Sequence, residues 1–232
     1  MSKKIISLVM GLMVAISLIG CSSNASGNSE DTKAQTATED NTDPKDKDLD
    51  GKWAKNYTLE ETQNLFKDKL SKMENITKEL GVKYSKDEKV KNDKDETVND
   101  NSIYFDNDKP EANKMESLYF GMKTYGDDLS SGDISLKLSL NFDGESAIKN
   151  NNFDLGKTSF KKYIEAFTGQ ENRDFSDINK EIIEKLKNGD QQVDIKDTVD
   201  GLKEEILATK TCIIYTLSTK KYKFADGEMS ME

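Results

Sequence analysis

The chain of 232 residues contains no histidine. That absence excludes Ser-His-Asp and Cys-His nucleophilic catalysis, most zinc sites, and proton switching by a side chain near neutral pH. Arginine is almost missing too: Arg173 stands alone among 34 basic residues, a lysine bias that reads as gene base composition rather than function. Positive charge is outweighed, with 44 acidic residues giving a formal net charge of −10. Such a chain is repelled by nucleic acid phosphates, and no basic stripe offsets the repulsion. Direct adhesion to an anionic membrane surface is disfavoured for the same reason. Neither a G-x-G-x-x-G turn nor a P-loop is present, so nucleotide phosphates have no recognisable cradle. Cysteines number two, Cys21 and Cys212, too few for the disulfide framework of a small secreted domain.

One long apolar run exists, at the start: MSKKIISLVMGLMVAISLIGC. Lys3 and Lys4 form a positive end, and residues 5–19 carry no charge. A bilayer-spanning helix needs about 20 apolar residues, so this run has the length of a secretory h-region. It ends in Leu18-Ile19-Gly20-Cys21, which resembles the lipobox of bacterial lipoproteins: leucine at −3, a small residue at −1, cysteine at +1. The resemblance implies that residues 1–20 are a cleaved signal peptide. It also implies that the Cys21 thiol carries a diacylglycerol, holding the protein on the extracytoplasmic face of a cell membrane of Gram-positive type. One acyl chain binds a membrane marginally, whereas two or three anchor it. Loss of Lys3 and Lys4 moves the net charge from −10 to −12. With Cys21 lipidated, Cys212 has no partner, and its apolar surroundings (Thr211-Cys212-Ile213-Ile214-Tyr215) read as core.

Residues 21–50 read as a lipidated N-terminus and a disordered acidic tether. From Ser22 to Asp50 there is no aromatic residue, Leu49 is the one large aliphatic, and eight acids face three lysines. Such a segment buries too little apolar surface to offset its ordering entropy. As a flexible chain its root-mean-square span is about 30 Å, enough to hold a domain clear of lipid headgroups. Within it, Asp46-Lys47-Asp48-Leu49-Asp50-Gly51 fits the opening half of an EF-hand-type loop, D-x-D-x-D-G, with alternate carboxylates converging on calcium. The twelfth position is Tyr57, not Glu or Asp, and Glu60 and Glu61 follow three and four residues late. Asp46, Asp48 and Asp50 are therefore a weak calcium candidate beside the plain reading of a solvated acidic linker.

Residues 51–232 read as one α+β domain, an antiparallel sheet with amphipathic helices packed on one face. Thr58 and Glu61 form a capping box. Leu59, Leu65, Phe66, Leu70, Met73, Ile76 and Leu80 then predict a helix that Gly81 ends. Trp53 is expected to pack against its first turn. Residues 84–101 are almost wholly polar and read as an exposed loop, followed by a short strand at 102–105. Strands are predicted at 118–125 and 134–142, the second alternating without a break, joined by a hairpin loop at 126–132. Phe160, Tyr163, Ile164 and Phe167 predict a second helix, and Phe175, Ile178, Ile182 and Leu186 a third. Val199, Leu202 and Ile206 suggest one more, weaker helix, and residues 211–217 and 221–224 a terminal hairpin.

Chemistry is sparse. S-x-x-K occurs at Ser146–Lys149, Ser159–Lys162 and Ser218–Lys221, no more than a lysine-rich chain produces by chance, and its companion motifs are absent. Asp127/Asp128 and Glu204/Glu205 are carboxylate pairs that serve acid–base chemistry only inside a cleft. The expectation is a lipid-anchored, non-enzymatic interaction module of the cell envelope, contacting a protein partner through the sheet face or the 126–132 loop. The alternatives are an envelope hydrolase using carboxylates or Ser/Lys, and a receptor for a small peptide or sugar with Tyr119 and Tyr125 as first suspects.

Overall fold

The computed structural model describes residues 49–93 and 96–224. Cys21, Asp46 and Asp48 lie outside the described residues, as does the tether up to residue 48. Four helices are present among the described residues: α1 (Leu59–Glu79), α2 (Gly144–Asn150), α3 (Phe160–Thr168) and α4 (Ser176–Asn188). The strands are β1 (Ser85–Asp93), β2 (Glu96–Asp106), β3 (Lys114–Tyr125), β4 (Ser131–Asn141), β5 (Val193–Val199), β6 (Leu202–Ala208), β7 (Cys212–Ser218) and β8 (Tyr222–Lys223). Every pairing is antiparallel, in the order β1-β2-β3-β4-β7-β6-β5, with β8 beside β4. This is the α+β class read from the sequence.

β3 and β4 carry the core face of the sheet. Leu118, Phe120 and Met122 lie in register with Leu138, Leu136 and Ile134, and all six are buried. The helices bury their apolar stripes on this face. Phe66 of α1 stacks on Phe120 at 5.4 Å, and Phe167 of α3 meets the same ring edge-on. The capping box at α1 forms as predicted: Thr58 Oγ1 accepts from the Glu61 amide and Glu61 Oε2 accepts from the Thr58 amide. Of the predicted row, Phe66 and Met73 are buried and Leu59, Leu65, Leu70 and Ile76 pack half-buried against the core, while Thr62, Lys69 and Thr77 complete the buried stripe. The two threonines are tolerated there because their hydroxyls donate back to the Thr58 and Met73 carbonyls.

Four sequence expectations are corrected. The polar stretch 84–101 is not a loop but most of the β1–β2 hairpin. Its ladder satisfies the backbone at the sheet edge, where charged side chains are at home, and Lys91 faces Asp100 across it at 3.4 Å. Residues 199–206 are not helical but the β5–β6 hairpin. Asp200 and Gly201 form its turn with φ of 51° and 84°, the two positive values that Asp-Gly hairpin turns adopt. Leu202 and Ile206 are four residues apart, a spacing that satisfies both helix and strand periods, and Glu204 between them hid the alternation. Residues 211–224 are not a hairpin: β7 and β8 run the same way along β4, interrupted at Thr219, whose hydroxyl accepts from the Ile134 amide. Cys212 is half-buried on the sheet face away from the helices, 3.5 Å from Ser139 Oγ, rather than in the core.

The first described residues are tied to the turn of the β5–β6 hairpin and to β8. The Lys52 and Trp53 amides donate to the side-chain and backbone oxygens of Asp200, and Tyr222 donates to the Trp53 carbonyl. Gly51 (φ 123°) lies so close to Asp200 that a Cβ would sit 2.4 Å from its carbonyl carbon. Trp53 is fully buried, edge-on to Phe167 at 5.1 Å, and not exposed for stacking on a ligand.

Between α3 and α4 the single arginine enters the protein. Arg173 Nη2 contacts both carboxylate oxygens of Glu204, at 2.7 and 2.6 Å, and Nη1 donates to the Tyr215 hydroxyl. Tyr215 donates in turn to Glu204. The Glu204 side chain is 1% exposed, on the core face of β6. Removing one partner of such a pair strands a buried charge, at a cost of about 3–5 kcal/mol, whereas replacing both with apolar groups is far milder. Urea unfolding should therefore find Arg173→Met destabilised by about that amount, and Arg173→Met/Glu204→Leu closer to the parent than the single variant. A double variant no better than the single would refute this account of the triad.

Candidate functional site: a lysine-rimmed cavity

The largest described cavity, about 720 Å³, lies where three distant segments meet. The first is the exit from α1. Gly81 (φ 69°) closes that helix in a Schellman turn, with the Val82 amide donating to Thr77 O and the Gly81 amide to Lys78 O. This turn sends Val82 and Lys83 along the cavity wall. The second is the β2–β3 connection, whose Asn113 (φ 58°) donates to Asn141 O while Asn141 Nδ2 donates to Pro110 O. It presents Asp106 and Lys114 above the buried Phe105 and Met115. The third is the entry to α3, which supplies Lys157, Ser159 and Lys162.

The result is an apolar floor under a cationic rim. Four lysines line the cavity and Asp106 is the one acid among its lining residues, an inversion of the chain's overall balance. Lys157 reaches Asp154 at 3.4 Å and Lys162 reaches Glu79 at 3.6 Å. Lys83 and Lys114 make no ion pair among the described residues. α3 has no acid in its first turn, and its N-cap Ser159 makes no side-chain cap; the hydroxyl points instead at Met115 Sδ, 3.9 Å away.

A second polar cluster covers the sheet face away from the helices. Tyr119 lies over Gly121, where a Cβ would meet its hydroxyl at 2.4 Å, and donates to Asp100 at 3.0 Å. Tyr125 donates to Asp133 at 2.5 Å. Lys221 Nζ sits 3.9 Å from the Tyr125 ring centroid. Burial raises the Tyr119 phenol above its ordinary value, with the nearby Asp100 charge adding to it. Burial also raises the Asp133 carboxyl, against the lowering hydrogen bond from Tyr125. Both tyrosines are thus engaged within the sheet, not free platforms for a ligand. None of the three described cavities gathers the side chains of Asp100 and Asp133 on one wall.

The other sequence candidates disperse. Asp50 is exposed at the start of the described residues, Gly51 is explained by its contact with Asp200, and Tyr57 donates to the Lys52 carbonyl. No group of three or more acidic or cysteine side chains suited to a metal occurs among the described residues. Of the serine–lysine pairs, Ser159 and Lys162 do share the cavity, yet the serine faces Met115 and the lysine Glu79. Asp127 accepts from Thr97 and Asp128 from the Ser130 amide. Glu204 and Glu205 point to opposite sheet faces, as neighbours on a strand must.

Compared with family models, curated proteins and solved structures, the chain matches none.

The cavity itself was not legible in the sequence, because its lysines belong to three segments, 31 to 79 residues apart along a uniformly lysine-rich chain. A buried amine elsewhere was equally hidden. Lys69 on α1 is 4% exposed, donates to Ala166 O at the C-terminal end of α3, and lies 5.8 Å from the Trp53 ring. Burial first, then Lys72 and Lys52, lower its pKa from 10.5 to about 8. A depressed lysine pKa means the unfolded chain binds more protons between those two values, so stability from this group is lost as pH falls through 8. Lys69→Met should accordingly gain most over the parent at pH 7, and the difference should narrow by pH 10. A constant difference across urea titrations at pH 7, 8.5 and 10 would contradict the displaced titration.

Proposed function

We propose that this protein is a lipid-anchored binding protein on the extracytoplasmic face of a bacterial cell membrane of Gram-positive type, without catalytic activity of its own. The anchor rests on the lipobox at Leu18–Cys21, and the acidic segment to Asp50 serves as the spacer. The observation that carries the binding reading is the lysine-rimmed cavity, whose size falls in the range of about 300–1,000 Å³ usual for ligand sites. Its lining offers charge and apolar surface, the means of holding a ligand rather than of transforming it. The hydrolytic alternative calls for two carboxylates in one cleft; Glu88 with Asp100 and Asp143 with Glu145 line the two smaller cavities, where Asp100 accepts from Tyr119 and Asp143 from the Ser146 amide. The proposed activity calls on no cofactor, and a protein partner in the envelope is compatible with it.

In cells fed labelled palmitate, the native protein should take up label and sediment with membranes. Cys21→Ser should do neither. Label on the serine variant would remove the anchor from the proposal. Crosslinking in intact cells tests the partner: one envelope protein captured at near-equal amounts by the anchored form alone supports it, and capture of nothing specific leaves ligand binding as the function.

A further inference from the structure

Long-range electrostatics argue against anion binding by this chain, since its net charge is −10. At physiological salt, however, charges more than about 8 Å apart are largely screened, so the groups that decide binding are those at the cavity mouth. There four lysines and Asp106 line the cavity, and Asp154 and Glu79 beside Lys157 and Lys162 leave the mouth with an excess of one positive charge, on the side of Lys83 and Lys114. Lys83 and Lys114 come from segments about 30 residues apart in sequence and carry no ion pair among the described residues. Lys157 and Lys162 are shared only with exposed or rim carboxylates, at 3.4 and 3.6 Å. The positive end of α3 adds to the same potential, because no acidic side chain of its first turn offsets the helix dipole.

The floor restricts the ligand further. Phe105 and Met115 are 6% and 8% exposed, and Leu80 at the rim is 37% exposed. An inorganic ion gains nothing from this surface, and a wholly apolar molecule gains nothing from the lysines. Lysine binds as a point charge, suiting the compact, multiply charged phosphate better than the flat carboxylate that arginine clasps.

We infer that this cavity binds an organic phosphate with an apolar body: the phosphate between Lys83 and Lys114, the apolar part on Phe105 and Met115. The inference rests on the reading of the domain as a binding module and gives that module its ligand class. It is independent of whether a protein partner exists. The same chemistry has two sources, the headgroup of an anionic lipid in the membrane to which the protein is anchored, or a soluble phosphate ester.

The test is calorimetry on the full chain held in phosphatidylcholine nanodiscs, with phenyl phosphate as probe and phenol and inorganic phosphate as comparisons. Phenyl phosphate should bind saturably at one site, with each comparison at least about tenfold weaker. Lys83→Ala/Lys114→Ala should raise its Kd by about tenfold or more. Ser159→Asp should also weaken it by placing a negative charge on the cavity wall, while an acid in the first turn of α3 suits the helix dipole and leaves the unfolding midpoint unchanged or higher. Repeating the titration in phosphatidylglycerol nanodiscs separates the sources. A weakened apparent affinity identifies the lipid headgroup as competitor, and an unchanged one identifies a soluble ester. The inference is overturned if phenyl phosphate does not saturate, if inorganic phosphate or phenol binds as tightly, or if both variants bind like the parent. Such a failure beside a captured envelope partner would discard the ligand class and keep the binding module.

Discussion

A buried guanidinium holds this fold in its working shape. Arg173 sits in the connection between α3 and α4 and reaches onto the core face of the sheet, where Glu204 and Tyr215 wait on adjacent strands. A carboxylate that deep is tolerable only with a partner, so the connection has one place to go. The same end of α3 is held a second time, by Lys69 on the Ala166 carbonyl and by Trp53 against Phe167. With its C-terminal end fixed by two basic side chains and an aromatic contact, α3 delivers its N-terminal end to the mouth of the cavity. The binding proposed at one end of the helix thus depends on structural chemistry at the other.

The two faces of the sheet divide the labour differently from the usual core-and-solvent split. The helix-covered face is apolar over most of its core, with Glu204 and Thr124 buried in it. On the other face, tyrosine hydroxyls and aspartates pair across strands, and Gly121 leaves room for Tyr119 to lie flat enough to reach Asp100. That arrangement buries the Tyr119 and Tyr125 hydroxyls without a covering layer of described residues, because each finds its hydrogen bond within the sheet. The proposed function is therefore placed at the cavity, where Lys83 and Lys114 make no ion pair among the described residues.

Several elements could be read directly from residue order. The alternation from Ile134 to Phe142 specified β4, since a half-buried strand needs a period of two. The Thr58/Glu61 capping box and Gly81 bounded α1 to within a residue. The failures have equally local causes. Residues 85–101 of the β1–β2 hairpin are polar on both faces apart from Val90 and Val98 and show no alternation, while the apolar end of β2, with Ile103 and Phe105, is buried against the core. The β5–β6 hairpin was announced by Asp200-Gly201, but Glu204 in the inner row broke the alternation that would have confirmed it. No turn residue stands between Ser218 and Tyr222, the signal that β7 and β8 continue along one neighbour rather than fold back.

By itself, the amino-acid order determined what is local or compositional: the lipobox-like ending at Cys21 from which the anchor is proposed, the acid-rich composition of residues 22–50, the absence of histidine, and helices and strands with clean periodicity. Tertiary structure alone decided which charges are buried and which charges meet. One arginine among 33 lysines looks like base composition until its partner, 31 residues away, is found in the core. Four lysines of that excess look like solvated surface until folding brings them to one rim. Periodicity reports a residue's own neighbours along the chain, whereas desolvation and electrostatic potential depend on neighbours that only the packed chain supplies.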